Sequence, residues 1–219
     1  MKTALVTGAS GGIGAAVAVA LAATHEVWLG GRTIPDGLPG RPWPVDLRDS
    51  ESFEEATAGI GELDVLVHSA GMVRVASLER TSAQVWRDMF ELNVVAVAEL
   101  TRVLLPKLRA AGGHVVLINS GAGLRANPNW GAYAASKFAL RAYADALRAE
   151  EPGLRVTTIF PGRTDTGMQR GVREAEGGAY EPEKYLKPET VATAVLNAIT
   201  TPQDAHPTEV IIRPRAAAG

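Results

Sequence analysis

The 219-residue chain contains no cysteine. That single absence excludes disulfide scaffolds, thiolate zinc sites, iron–sulfur clusters and thiol catalysis. Histidine is scarce at four residues, which leaves little for an imidazole metal site. Aromatic residues are only 5% of the sequence, so the core must be built from Ala, Val, Leu and Ile. Neither sign of charge dominates: the net charge is −2 and the pI about 6.1. The basic surface that nucleic acid or an anionic membrane needs is therefore missing. No run reaches the ~18 apolar residues of a membrane span. The apolar stretch at 13–23 has the length of a signal-peptide core, but a glycine-rich turn separates it from the first apolar run and the basic region before it is a single Lys2, so a cytoplasmic protein is expected. What is present, 46% apolar and 21% charged residues with mean hydropathy +0.03, suits one globular domain over 1–219.

Short apolar runs alternate with helical stretches along the chain. Strands are expected at 3–7, 26–29, 44–46, 63–69, 114–119, 155–160 and 209–213. Helices are expected at 12–23, from about Ser50 with Asp49 or Ser50 as N-cap, over 82–111 with a possible bend, at 133–150, and from Pro188 to about Thr200. Residues 32–41 carry Pro35, Gly37, Pro39 and Gly40 and read as a loop. Wholly apolar strands separated by helices predict an α/β fold: a doubly wound, Rossmann-type domain with a parallel, seven-stranded sheet. Residues 163–187, rich in Gly, Arg and Glu, follow a strand end and are a candidate substrate lid.

Thr7-Gly8-Ala9-Ser10-Gly11-Gly12-Ile13-Gly14 lies between the first strand and the first helix. A pyrophosphate needs backbone N–H groups at a helix N-terminus and glycines that leave its approach open. The other reading is a turn that merely tolerates glycine; the flanking strand and helix favour dinucleotide binding. Tyr133 and Lys137 stand four apart at a helix start and project from one face. An ammonium there is expected to lower the phenol from about 10 and make it a general acid or base. Tyr180 and Lys184 repeat the spacing, but Pro182 interrupts the helical pitch. Ser120, just past the fifth strand, is placed to donate to a substrate oxygen; a turn serine and a half-buried tyrosine are the plainer alternatives.

These motifs together, TGASGGIG and Ile118-Asn-Ser120 … Tyr133-Ala-Ala-Ser-Lys137, resemble the classical short-chain dehydrogenases/reductases. The resemblance extends from Thr3 to about Pro214. It implies that Ser120 polarises a carbonyl, that Tyr133 transfers the proton, and that Lys137 tunes Tyr133 and binds the nicotinamide ribose. Asn93 matches the family's catalytic Asn, which holds a helix kink and a water leading to Lys137; read alone it is more often a cap between two helices. For the cofactor, the resemblance implies contacts from Gly8, Ser10, Gly12, Ile13 and Gly14, from Asp46 and Leu47 near the adenine, and from Ala70 and Gly71. Pro161, Gly162 and Thr166 correspond to the Pro-Gly motif that holds the carboxamide and pyrophosphate. His68-Ser69 replaces the usual Asn pair, and His68 is expected to be structural. Arg32 follows the second strand where an acid would bind a free 2′-hydroxyl, so NADP(H) is favoured over NAD(H), with a solvated surface arginine as the alternative. The short 32–41 connection departs from the family's crossover helix and predicts a less covered sheet face.

The implied function is an NADP(H)-dependent oxidoreductase acting on a small carbonyl or alcohol substrate. A non-catalytic NADP(H)-sensing or interaction protein on the same fold, or a ligand-free α/β domain, remain the alternatives. Val73, Gly121, Leu124, Arg125, Trp130, Arg163 and Met168 are candidate pocket residues; Arg125 and Arg163 suit an anionic group, with plain surface solvation an equal alternative. Small residues along 134–146 permit close helix approach, and similar proteins pair through that helix, so a homodimer or homotetramer is expected.

Overall fold

Each short apolar run becomes a strand because protein covers both of its faces. In the computed structural model, which describes residues 1–215, β4 (Val65–His68) and β5 (His114–Ile118) are buried at every position. The last four residues of the expected domain, 216–219, lie outside the described residues. With β1 (Lys2–Thr7), β2 (His25–Gly31), β3 (Arg41–Pro44), β6 (Arg155–Pro161) and β7 (Glu209–Ile212) they form one parallel sheet in the order β3-β2-β1-β4-β5-β6-β7. The helices are α1 (Gly12–Leu21), α2 (Phe53–Ala56), α3 (Ala83–Phe90), α4 (Ala96–Ala111), α5 (Gly131–Glu150), α6 (Gly167–Ala175) and α7 (Pro188–Thr200).

Two cores sandwich the sheet. Val17 and Leu21 of α1 and Val191 and Val195 of α7 pack on one face against Val6, Val27 and Val67. Leu100 and Leu104 of α4 and Leu140 and Ala144 of α5 pack on the other, against Leu5, Leu66 and Val115. The chain leaves β1 for β2 and β3, then returns to β1's other side for β4. A crevice opens at that reversal, above the strands' carboxyl ends.

Several boundaries differ from expectation. The third strand forms at Arg41–Pro44, upstream of 44–46, because Trp43 sets its register. The indole is only 4% exposed and donates from Nε1 to the Ala56 carbonyl at 2.7 Å. Pro42 and Pro44 are tolerated because β3 is the sheet edge. The helix expected from Ser50 shrinks to a 3-10 turn at Ser50–Ser52 and the single turn of α2. Thr57 ends it by donating to the Phe53 carbonyl at 2.7 Å. The 82–111 stretch is α3 and α4 joined by a π-helical turn at Glu91–Val95. No helix forms between β2 and β3, as the sequence predicts. Ile34 and Leu38 of that loop pack against the α1 side of the core in its place. Among the described residues no helix is long and apolar enough to cross a membrane, and no three metal-ligating side chains cluster.

Candidate active site

A cleft of about 880 Å³ occupies the crevice. Its floor is the β1–α1 turn, where close backbone approach dictates the glycines. A Cβ on Gly14 would run into the Gly8 carbonyl, and one on Gly8 would meet the Ala70 nitrogen at 2.7 Å. Gly8 and Gly12 also adopt φ of 72° and 54°, the region that favours glycine. A Cβ on Gly11 would meet nothing within 4 Å. No side chain caps α1 and no acid occupies its first turn. The helix thus offers its first N–H groups and the positive end of its dipole to the cleft, a cradle that fits a dinucleotide pyrophosphate.

The expected residues converge here. Ser10, Gly12, Ile13, Arg32, Asp46, Leu47, Ala70, Gly71, Pro161, Gly162 and Thr166 line the same cleft as Ser120, Tyr133 and Lys137. Thr7 ties β1 to the β4 loop, its Oγ1 accepting from the Ser69 and Ala70 nitrogens at 3.1 and 3.2 Å. Thr166 caps α6, accepting from the Gln169 nitrogen at 3.1 Å. Of the candidate pocket residues, Val73, Gly121, Trp130, Arg163 and Met168 line the cleft, whereas Leu124 and Arg125 do not. They follow the 3-10 turn at Gly121–Gly123 that comes after β5.

Ser120 leaves β5 and caps a 3-10 turn, its Oγ accepting from the Ala122 nitrogen at 3.1 Å. Tyr133 and Lys137, one helical turn apart on α5, are 7% and 4% exposed. Lys137 Nζ lies 5.9 Å from the Tyr133 ring centroid and donates to the Ile118 carbonyl at 3.0 Å. Burial lowers the Lys137 pKa to about 8. The Tyr133 phenol shifts opposite to expectation: burial raises it above its ordinary value, and the Ser120 hydroxyl facing it opposes that rise. The expected lowering by Lys137 does not dominate, because the amine is directed at a backbone carbonyl and both groups are desolvated.

Asn93 sits inside the π-helical turn, not at a cap. Its Oδ1 accepts from the Met72 nitrogen at 2.9 Å, and its Nδ2 donates to the Met72 carbonyl and Ser136 Oγ, both at 3.0 Å. It thereby ties the β4 loop to α5. His68 is structural as expected: Nε2 meets Thr101 Oγ1 at 2.9 Å, and burial depresses its pKa to about 3.

A family model described as short chain dehydrogenase matches residues 2–177. The chain belongs to the short-chain dehydrogenase/reductase family. Dehydrogenase/reductase SDR family member 11 of Mus musculus is 33% identical, over 97% of this chain and 94% of the mouse protein. Glycine betaine reductase ATRR of Emericella nidulans is 35% identical over 98% of this chain, which spans 19% of that longer protein. Among solved structures, an alcohol dehydrogenase from the archaeon Thermococcus sibiricus, complexed with 5-hydroxy-NADP, superposes with a TM-score of 0.87 at 30% identity. That match covers 98% of this chain and 97% of the archaeal one.

Several residues that line this short-chain dehydrogenase/reductase cleft escape sequence reasoning. Asn119 accepts from the Ser120 nitrogen at 2.8 Å and donates to the Lys137 carbonyl at 3.0 Å, coupling β5 to α5. Its place directly before Ser120 was the available signal. Arg48 follows Leu47 and reaches Met72 Sδ at 3.8 Å across the cleft. Arg213, beyond β7, also lines it.

Residues 163–187 form α6 and a return turn, joined at the base by a bridge between Thr164 and Leu186. Arg163 grips Glu176 with two bonds of 2.8 and 2.7 Å, and Arg173 adds a third at 2.5 Å. Arg163 is therefore already matched by a carboxylate, which fits neither of its two expected roles, an anion receptor or a simply solvated arginine. Tyr180 donates to Asp165, and Lys184 pairs with Glu181 at 2.7 Å. Neither residue lines the cleft.

Proposed function

We propose that this chain reduces carbonyl compounds with NADPH and runs in reverse as an alcohol dehydrogenase. The observation that carries the reading is that Ser120, Tyr133 and Lys137 line the cleft whose floor is the glycine turn. When bound, NADPH supplies a hydride to the carbonyl carbon. The Tyr133 Oη gives its proton to the carbonyl oxygen, and the product is an alcohol with a new C–H and a new O–H bond. Ser120 Oγ holds that oxygen by a hydrogen bond as charge develops on it. A phenol raised by burial is fully protonated at neutral pH, the state a proton donor requires. Lys137, cationic at pH 7 with its pKa near 8, stabilises the phenolate left behind and reaches the nicotinamide ribose. Asn93 is a positioning residue, acting through the Met72 backbone and Ser136.

Gly8, Gly12, Ile13 and Gly14 hold the pyrophosphate, Asp46 and Leu47 the adenine, and Ala70 and Gly71 the adjoining ribose. Pro161, Gly162 and Thr166 hold the carboxamide end. NADP(H) is preferred because Arg32 lines the cleft beside Ser10, where β2 ends without an acid. The 5-hydroxy-NADP of the archaeal neighbour agrees with that preference. Residues 163–187 act as the lid over the substrate. Two copies pair through α4 and α5, whose outer faces leave Val95, just before α4, and Phe138 44% and 42% exposed.

The test is oxidation of NADPH, and separately NADH, against a panel of aldehydes and ketones. Turnover with NADPH favoured supports the reading. Binding of NADPH without turnover on any carbonyl would replace it with a sensing role. Binding of neither dinucleotide would leave an α/β domain without this chemistry.

A further inference from the structure

We propose that Arg213 receives a carboxylate of the substrate, so that this reductase acts on oxo acids; the inference rests on the reductase reading of the same cleft. Arg213 follows β7 and reaches back over the sheet end. Its Nη1 donates to the Phe160 carbonyl at 2.7 Å and the Ile212 carbonyl at 3.1 Å. Those bonds use both Nη1 hydrogens and fix the guanidinium in place.

The flat face of the group rests on Gly121. A Cβ at that glycine would lie 3.3, 3.5 and 3.7 Å from Nη2, Cζ and Nη1. Three such similar distances mean that the plane, not an edge, meets the backbone. A side chain at 121 would crowd the guanidinium, so glycine directly after Ser120 lets the cation sit beside the proposed reaction centre. Through that contact, one Cβ–Cα bond and one Cα–Cα step, Nη2 lies within about 9 Å of the Ser120 Cα.

What remains is the Nε–Nη2 edge, with three N–H donors. Elsewhere in this molecule the same edge grips carboxylates. Arg102 presents Nε and Nη2 to Glu99 at 2.9 and 2.7 Å, and Arg109 presents them to Glu151 at 2.9 and 2.5 Å. Arg213 enters none of the ion pairs among the described residues. It lines the cleft, and among the described residues nothing pairs with that edge, whereas Arg163, another lining residue, is matched by Glu176. A planar fork, anchored through its other nitrogen, is the arrangement that recognises a carboxylate bidentately. A short oxo acid seated there brings its carbonyl within reach of Ser120.

Calorimetric titration of the protein, with and without NADP+, tests this using benzoate and its neutral counterpart benzamide. The wild type is expected to bind benzoate at least about tenfold more tightly than benzamide, as a charge-assisted pair implies. Arg213→Gln should lose that preference, by about ten- to a hundredfold, and Arg213→Lys should retain part of it. In turnover, the ratio of kcat/KM for 4-formylbenzoate to that for its methyl ester should fall in Arg213→Gln, through KM for the acid. Equal binding of benzoate and benzamide by the wild type, or a ratio unchanged in Arg213→Gln, would overturn the proposal. So would a loss confined to NADPH affinity, which would give Arg213 to the dinucleotide. Benzoate preference without NADPH oxidation on either aldehyde would overturn the reductase reading and leave the anion site standing.

Discussion

Asn93→Ala removes a side chain that is 1% exposed and bonded to both polar groups of the Met72 backbone. Each of those groups, left without a partner, costs about 1–3 kcal/mol. Ser136 suffers less, because its hydroxyl still donates to the Tyr133 carbonyl at 2.8 Å. Taking the lower half of the range for two orphaned groups gives a loss of about 3 kcal/mol. For a chain of this size that is a fall in Tm of about 6–12 °C. Asn93→Asp should be no milder at neutral pH, because a carboxylate would face the Met72 carbonyl with no donor. The change also reaches the cleft: a Cβ on Gly71 would be 3.1 Å from Asn93 Oδ1 and 3.9 Å from Lys137 Nζ. Urea denaturation with an unchanged m-value measures the stability term, and kcat/KM with NADPH measures the displaced loop. A stability loss below about 1 kcal/mol would refute the view that this side chain carries the Met72 backbone.

Gly11→Ala should leave stability within about 0.5 kcal/mol, since its Cβ meets nothing, yet weaken dinucleotide binding by blocking the cradle. Gly14→Ala, directed into the Gly8 carbonyl, should cost about 3 kcal/mol, the upper part of the range for overpacking; paired denaturation and NADPH titration distinguish the two. His68 and His114 both have folded-state pKa values of about 3, against 6.5 when unfolded. The unfolded chain therefore binds protons that the native state refuses. Stability is unaffected above about pH 6.5 and falls as pH drops toward 3, by about 1.4 kcal/mol per histidine at pH 5.5. His68→Asn should remove about half of that acid slope; equal stability at pH 7 and 5.5 would refute it. Arg32→Asp should reverse the preference between NADPH and NADH, and unchanged Michaelis constants for both would discard the 2′-phosphate reading.

The parallel sheet was legible because its strands are buried on both faces and so carry continuous apolar runs, and the glycine turn because only glycine permits its close contacts. Tyr133, Lys137 and Ser120 were legible by helical spacing and by their position at a strand end. The third strand was misplaced because its register depends on where Trp43 finds a pocket, made by Gly30 on β2, whose Cβ would come within 2.8 Å of the indole. The π-helical turn that presents Asn93 follows from the partners that side chain finds on two distant elements. The direction of the Tyr133 shift depends on burial and on where Lys137 donates, neither of which spacing conveys. Arg163 and Arg213 are both arginines after strand ends. Only the fold shows that one meets Glu176 and the other faces Gly121.

The most direct measurement is Tyr133→Phe, which removes one oxygen from a buried ring, with NADPH oxidation and NADPH affinity followed on the same preparation. Near-complete loss of turnover with NADPH affinity retained is the predicted result. Substantial residual turnover in that variant would contradict proton transfer by Tyr133.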